Sequence, residues 1–315
     1  MSDRAGVADR ASVADRTDVS ENRDRRPSAR EARRPRNPHR AESWQPTVLR
    51  RVRVRSVEPL APELVRVTLG GDELGQFTIA GSADTTAAAA GEPALVPAVR
   101  SPSFDDVVVF CLPDPATGEV TLPVPAPGGG LGHPPGGVAL VREYTVRTLR
   151  DGAMCVILIR HAEGAGARWL EAVRPGDELT IVGPRVSRAL PAVDRMLAVG
   201  DATALPALAR LLEERPPTLD LDVLAAVPDP AALPRTLLPT VAPADADRVR
   251  VRVVAAAPGS SGELIGALSA AGLPTGFAWV AGESGMVSAV RRHLLDRGQN
   301  PDRIQFTGYW RLGGP

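Results

Sequence analysis

Four short stretches of this chain carry residue types at spacings that could do chemistry. Arg142-Glu143-Tyr144-Thr145-Val146-Arg147 opens an extended run. Strand alternation puts Arg142, Tyr144 and Val146 on one face and Glu143, Thr145 and Arg147 on the other. On its own the run also reads as an edge strand with solvated arginines. About twenty residues later, His161-Ala162-Glu163-Gly164-Ala165-Gly166-Ala167-Arg168-Trp169 ends a strand in a small-residue turn and starts a short helix. Such a turn can present backbone N–H groups to a pyrophosphate, or be no more than a helix N-terminus. Gly200-Asp201-Ala202-Thr203 and Ala281-Gly282-Glu283-Ser284-Gly285 are two further small-residue loops, each leading into a helix whose first N–H groups can meet a phosphate.

Other chemistries find no support in the spacing. A Walker A sequence is missing, as is a G-x-G-x-x-G after a strand, and Gly282–Gly285 misses the G-x-S-x-G spacing of a nucleophile elbow. His39, His133, His161 and His293 are scattered, and neither Cys111 nor Cys155 has a His or Cys two to four residues away. We therefore expect no protein-bound metal site.

The elements that must position these stretches fall into two groups. Thr47–Val57, Glu63–Leu69, Val107–Leu112, Tyr144–Thr148, Met154–Arg160 and Glu178–Val182 read as short strands with Gly and Pro breaks, which suggests a small antiparallel Greek-key barrel. Residues 81–100 and 123–137, rich in Ala or in Pro and Gly, read as long mobile insertions. Beyond them, strands at Arg195–Gly200, Leu219–Val227, Arg250–Ala256, Phe277–Ala281 and Ile304–Trp310 alternate with helices at Thr203–Arg215, Ser261–Ala271 and Met286–Arg297. That alternation predicts a doubly wound parallel α/β sheet with ligands beyond the carboxyl ends of its strands.

With 315 residues, 43% hydrophobic and 23% charged, the chain has material for two cores. All 37 basic side chains are Arg, against 37 acidic ones, so a globally basic nucleic-acid binder is disfavoured. Residues 1–45 contain eleven Arg and no Leu, Ile or Phe, and Ala5–Arg10 is nearly repeated by Ala11–Arg16. This stretch predicts a disordered Arg-rich tail, either a solvated extension or an arm for anionic partners. The two cysteines lie in apolar runs, as buried thiols of a reducing compartment do. There is no secretory h-region and no apolar stretch of about 20 residues, which points to a cytoplasmic protein that does not bind membranes. The expected organisation is tail 1–45, barrel 46–186 and α/β domain 187–315.

Taken together, four segments of residues 47–315 resemble the siderophore-interacting protein family, flavoproteins that reduce ferric siderophores. They are the R-x-Y-T-x-R strand Arg142–Arg147, the His161…Gly164…Trp169 turn, Gly200–Ala207, and Trp279–Ser284 with the closing Gly308-Tyr309-Trp310-Arg311. The resemblance implies an FAD-binding barrel followed by a nicotinamide-nucleotide domain of the ferredoxin-reductase-like kind, in a monomer. It implies cofactor contacts along Arg142, Tyr144, Thr145, Val146 and Arg147. Tyr144 would pack on the isoalloxazine, Thr145 would reach the ring edge near N5, and Arg142 would counter phosphate or reduced-flavin charge. His161 and Gly164, Ala165, Gly166 and Ala167 would hold the pyrophosphate. Asp201, Thr203, Gly282, Glu283 and Ser284 would border NADH or NADPH, with helix capping the other role open to Asp201 and Thr203. Tyr309 and Trp310 would flank the flavin cleft or pack the last strand, and Trp169 would pack. Ala165, Ala167 and Ala202 depart from the family pattern, and arginines such as Arg311 and Arg51 would have to replace its siderophore-facing lysines. The implied activity is electron transfer from NAD(P)H through FAD to a ferric siderophore. A flavin reductase with another acceptor, or a flavin- or siderophore-binding protein with little turnover, are the alternatives.

Overall fold

A computed structural model describes residues 39–79, 94–126, 130–161, 163–238, 241–271 and 276–314, all within one compact unit spanning Asn37–Pro315. The strands in the first half are β1 (Glu42–Trp44), β2 (Leu49–Ala61), β3 (Leu64–Gly70), β4 (Phe77–Ile79), β5 (Ala94–Val96), β6 (Val107–Cys111), β7 (Val124–Ala126), β8 (Gly130–Gly132), β9 (Val141–Arg150) and β10 (Ala153–Ile159). Helix α1 (Ala165–Ala172), β11 (Glu178–Val182) and β12 (Val186–Arg188) complete it. Six of these strands close an antiparallel barrel in the order β10-β3-β2-β11-β6-β9. The alternation seen in sequence is what closes it: Val52, Val54, Val65, Val67 and Leu69 all point inward and are buried.

The second half runs β13 (Arg195–Asp201), α2 (Leu205–Glu214), β14 (Asp220–Val227), β15 (Val249–Ala255), α3 (Gly262–Ala271), β16 (Phe277–Glu283), α4 (Ser284–Asp296) and β17 (Ile304–Trp310). Its five strands are parallel in the order β15-β14-β13-β16-β17. Leu197, Val199 and Val280 face α3 and α4, while Ala198, Val223 and Trp279 face α2, so the sheet is covered on both faces. The core on the α2 side also takes in Phe104, Leu64 and Ile157, so barrel and sheet share apolar packing. The strand order reverses between β13 and β16, and a crevice at such a reversal is where open α/β sheets receive ligands. Among the described residues no helix is long and apolar enough to cross a membrane.

Three expectations need correction. The tail expected over 1–45 does not reach that far: Arg40 is buried, and β1 pairs with β12 in antiparallel register. In the insertion expected at 81–100, residues 81–93 lie outside the described residues, whereas β5 pairs with β4 and Val99 joins the barrel core. The insertion at 123–137 contains the β7–β8 hairpin, whose Leu131 packs on Val109, Cys111 and Val182. In each case a few apolar side chains, or one arginine with enough acceptors, give a polar segment something to bury.

That arginine is Arg40. Its Nη1 and Nη2 donate to the two oxygens of Asp105 at 2.6 and 2.8 Å, and Nη1 also reaches Gln305 Oε1 at 2.9 Å. Nε donates to Ala189 O at 2.7 Å, and Nη2 to Ser103 Oγ at 3.1 Å and to Arg188 O. Trp279 Nε1 and Gln305 Nε2 donate to Asp105 Oδ2 from the sheet. Burial would raise the Asp105 carboxyl, but the Arg40 charge and the donors on Ser103 and Trp279 outweigh it and hold it below the ordinary carboxylate range. Among the described residues no cation pairs with Asp106 beside it. Burial pushes its carboxyl up, and its Oδ1 and the adjacent Ser187 hydroxyl make no hydrogen bond of good geometry.

Replacing Arg40 by Met strands a buried carboxylate and is expected to destabilise the fold by about 3–5 kcal/mol in urea unfolding, with R40M/D105N recovering much of the loss. Asp106 has the opposite sign. Its raised folded value opposes folding once the carboxyl ionises, and that penalty fades as pH falls. Asp106→Asn is therefore expected to raise the melting temperature at about pH 8, with the gap over wild type closing at about pH 4.

Candidate functional site

Strand β9 is a bulged strand. Its register with β10 passes from Thr148 opposite Cys155 to Val146 opposite Val156, so Arg147 is the extra residue. On one side of the bulge Tyr144 faces the barrel interior, its ring edge-on to Phe110 at 4.8 Å, and Phe110 is edge-on to Trp169 at 5.4 Å. The Tyr144 hydroxyl ends under α1: a Cβ on Gly166 would lie 2.5 Å from it. Burial pushes this phenol up to about 12, against a small opposing pull from Arg142, so it stays a neutral donor. Arg142 donates only to its own neighbour, Val141 O, at 2.8 Å, and makes no ion pair among the described residues. Thr145 is buried beside the hydroxyl of Tyr309, which reaches it from β17.

Two further members of the strand are taken up within the protein. The Val146 side chain is wholly inside the barrel core. Arg147 is held by Glu213 of α2 through two bonds of 2.8 and 2.5 Å. Arg147 stays on the outer side with Thr145, and the bulge shifts the alternation beyond it, so that Leu149 rather than Thr148 packs on the barrel core.

The turn after β10 is built for an open helix end. Gly164 takes φ 108°, a conformation that favours glycine, and no side chain caps the N-terminus of α1. The N–H groups of Ala165, Gly166 and Ala167 therefore have no side-chain partner there, while the two alanine side chains are buried. Ala162 lies outside the described residues. His161 stands at the barrel end of this turn with its ring 4.7 Å from that of Trp310, and burial lowers its basicity while the Asp201 charge partly restores it. Trp169 packs on Phe110.

The switch point of the sheet is closed by carboxylates. Asp201, at the end of β13, accepts from Thr203 N at 2.9 Å and Thr203 Oγ at 2.5 Å on one oxygen, and from Glu283 N at 2.8 Å and Trp310 Nε1 at 2.9 Å on the other. Glu283, at the end of β16, caps α4 through Met286 N at 2.8 Å and also accepts from Leu312 N at 3.2 Å. Gly282, with φ 142°, lets Asp201 approach; a Cβ there would sit 2.6 Å from the carboxylate carbon. Ser284 Oγ donates to Trp310 O at 2.9 Å. Asp201, Thr203, Gly282, Glu283 and Ser284 thus come together; Asp201 and Glu283 act as caps, and Thr203 is the residue that Asp201 caps.

Arg40, Asp105 and Arg210 were invisible as site-framing residues in the sequence. Arg40 sits at the end of an Arg-rich stretch, Asp105 in a loop with no motif, and Arg210 on a helix whose leucines alone carried the signal. Arg210 is buried and donates to Glu214, to the hydroxyl and carbonyl of Ser101, and to Val146 O.

An FAD fits the residues on the barrel side. Among the described residues the α1 N-terminus supplies unpaired N–H groups for a pyrophosphate, Gly166 keeps a side chain off that turn, and Arg142 is a cation without an ion-pair partner two residues from an aromatic ring. Among the described residues no cluster of three or more His, Cys, Asp or Glu is arranged to hold a metal ion.

Comparison with known proteins agrees with this division. Residues 91–188 match the siderophore-interacting FAD-binding domain, and residues 193–313 match the siderophore-interacting protein family. The structure of a siderophore utilization protein from T. fusca superposes with a TM-score of 0.70 at 29% identity, covering 88% of this chain and 97% of that one. An NADPH-dependent ferric-chelate reductase of Escherichia coli is 26% identical over 83% of this chain and 92% of its own length. Uncharacterized proteins of Mycobacterium tuberculosis and Mycobacterium bovis are 31% identical over 169 residues, 50% of this chain, and the match spans about half the length of these relatives (50%).

Because only the Tyr144 hydroxyl crowds position 166, Gly166→Ala is expected to destabilise the protein by about 1–3 kcal/mol. The same change in a Tyr144→Phe background is expected to cost much less. A thermal or urea double-mutant cycle with no coupling between the two sites would refute the close approach.

Proposed function

Because the chain belongs to the siderophore-interacting protein family, we propose that it is an FAD-dependent ferric-siderophore reductase drawing electrons from NADH or NADPH. The observation that supports this most directly is the contrast between helix ends. The α1 N-terminus beside Tyr144 and Arg142 is open to an anion, whereas at the sheet crevice Asp201 closes the 3-10 turn that leads into α2 and Glu283 caps α4. Bound FAD would supply the change from two-electron to one-electron transfer, taking a hydride from the nucleotide and passing single electrons to Fe(III) in the siderophore. Fe(III) is a hard cation held tightly by oxygen donors and Fe(II) much less so, which makes reduction a route to release.

The chain's own residues bind and orient. The N–H groups of Ala165–Ala167 take the pyrophosphate, with His161 at the edge of that turn. Arg142 balances negative charge near the ring system, Tyr144 gives it an aromatic wall, and the Thr145 hydroxyl offers the ring edge one hydrogen bond. Asp201, Thr203 and Gly282–Ser284 border the donor, in a domain spanning 187–315 that follows a flavin domain spanning 46–186. The siderophore's negative charge meets permanently charged guanidiniums in place of lysines. Two free cysteines suit a reducing, cytoplasmic setting.

The capped crevice favours one second reading. Two buried carboxylates where a nucleotide phosphate would approach are unfavourable to it, and a reduced carrier protein would avoid that cost.

Anaerobic addition of NADPH, then NADH, to flavin-loaded protein distinguishes the two donors: bleaching, with colour returning on a ferric siderophore, is expected. Flavin that neither nucleotide bleaches but a reduced carrier protein does selects the second reading. Arg142→Ala and Tyr144→Ala are each expected to lower flavin retention by at least about tenfold, and full occupancy with unchanged reduction in both overturns the assignment.

A further inference from the structure

The bulge in β9 is held from outside the barrel. Arg147, the extra residue, points at α2 and is gripped by both oxygens of Glu213. One residue earlier, the Val146 carbonyl accepts from Arg210 Nη1 at 2.9 Å. Arg210 is buried on α2, and its guanidinium makes three further bonds. Nε donates to Glu214 at 2.6 Å, Nη1 also donates to Ser101 Oγ at 2.9 Å, and Nη2 donates to Ser101 O at 3.0 Å. On its other edge Val146 N donates to Asp106 O at 2.9 Å. Arg210 therefore joins the last turns of α2, the loop before β6 and the bulged strand in one planar fork, a geometry a lysine does not reproduce.

The placement of α2 gives this link its meaning. The helix begins directly after Asp201–Ala204, the loop at the switch point, and its far end grips β9 just beyond Tyr144 and Thr145. A bulge re-aims the side chains next to it, so whatever fixes the bulge fixes Tyr144 and Thr145. We infer that Arg210, assisted by Glu213, is a positioning residue: it pins the β9 bulge to the helix that starts at the donor-side loop, and so sets Tyr144 and Thr145 relative to the ring they line. The pin itself is a property of the apo chain; its bearing on electron transfer rests on the flavin reading above.

Hydrogen exchange of the flavin-free full chain tests the pin, and single-turnover bleaching of the FAD-loaded chain tests its consequence. In Arg210→Met, amides of residues 144–148 are expected to exchange at least about tenfold faster than in wild type. FAD is expected to stay bound, and bleaching at saturating nucleotide to slow by about tenfold, because the strand is misplaced and not emptied. Glu213→Gln, at a partly exposed position, is expected to move both readouts the same way by less. Should Arg210→Met fail to fold, Ser101→Ala, which removes one hydroxyl partner of the fork, and Glu213→Gln carry the same two measurements. Unchanged exchange over 144–148 in the folded variants overturns the pin. Faster exchange with an unchanged bleaching rate overturns the positioning role. A wild-type chain that takes up no FAD defeats the flavin reading instead, while the exchange result, which needs no flavin, still decides the pin.

Discussion

Arg40 and Asp105 impose a condition that the rest of the molecule has to satisfy. A buried guanidinium and a buried carboxylate are tolerated only when nearly every donor and acceptor on them is used, because desolvation otherwise exceeds the attraction between them. Here the pair meets that condition by recruiting from four places: the N-terminal strap, the loop before β6, the connection at Arg188–Ala189, and the indole and amide of β16 and β17. Barrel and sheet cannot separate without breaking this set. The relation between the open α1 turn and the switch point is thereby fixed by hydrogen bonds from β16 and β17 onto this ion pair, in addition to the shared apolar core.

Around that frame the molecule distributes its carboxylates unevenly. Asp201 and Glu283 satisfy the helix starts beyond the sheet, each accepting from several N–H groups at once, and they tie the ends of β13, β16 and β17 together. The α1 start receives no such cap. Bare N–H groups on the barrel side, set against the Asp201 and Glu283 carboxylates on the sheet side, make the α1 turn the electrostatically favoured place for an anion.

Most of the fold was legible because it follows from repetition. Val65, Val67 and Leu69 alternate, the leucines of α2 recur at helical spacing, and strand–helix alternation after residue 195 leaves little but a parallel sheet. The R-x-Y-T-x-R strand and the Gly164 turn were also readable, since their residue types are unusual in company. The rest depends on single events that leave no period. One added residue in β9 shifts the alternation after Arg147, so that Leu149 rather than Thr148 meets the core, and nothing in the sequence marks it. Arg40 looks like its ten predecessors in an Arg-rich stretch, and only the acceptors brought to it by distant strands distinguish it. Arg50, inward-facing on β2 and bonded to the carbonyls of Glu73, Gly75 and Pro97, shows the same limit, because an arginine on the apolar face of a strand reads as an exposed one until its partners are seen.

The four tryptophans ended up in four different settings. Trp44 lies on the surface of β1, Trp169 packs in the barrel core, Trp279 donates to Asp105, and Trp310 stands between His161 and Asp201. The chain thus carries its own optical reporters. Selective removal of indoles would let emission be read separately from the outer surface, the barrel interior, the ion pair and the cleft, with no label attached to any of them.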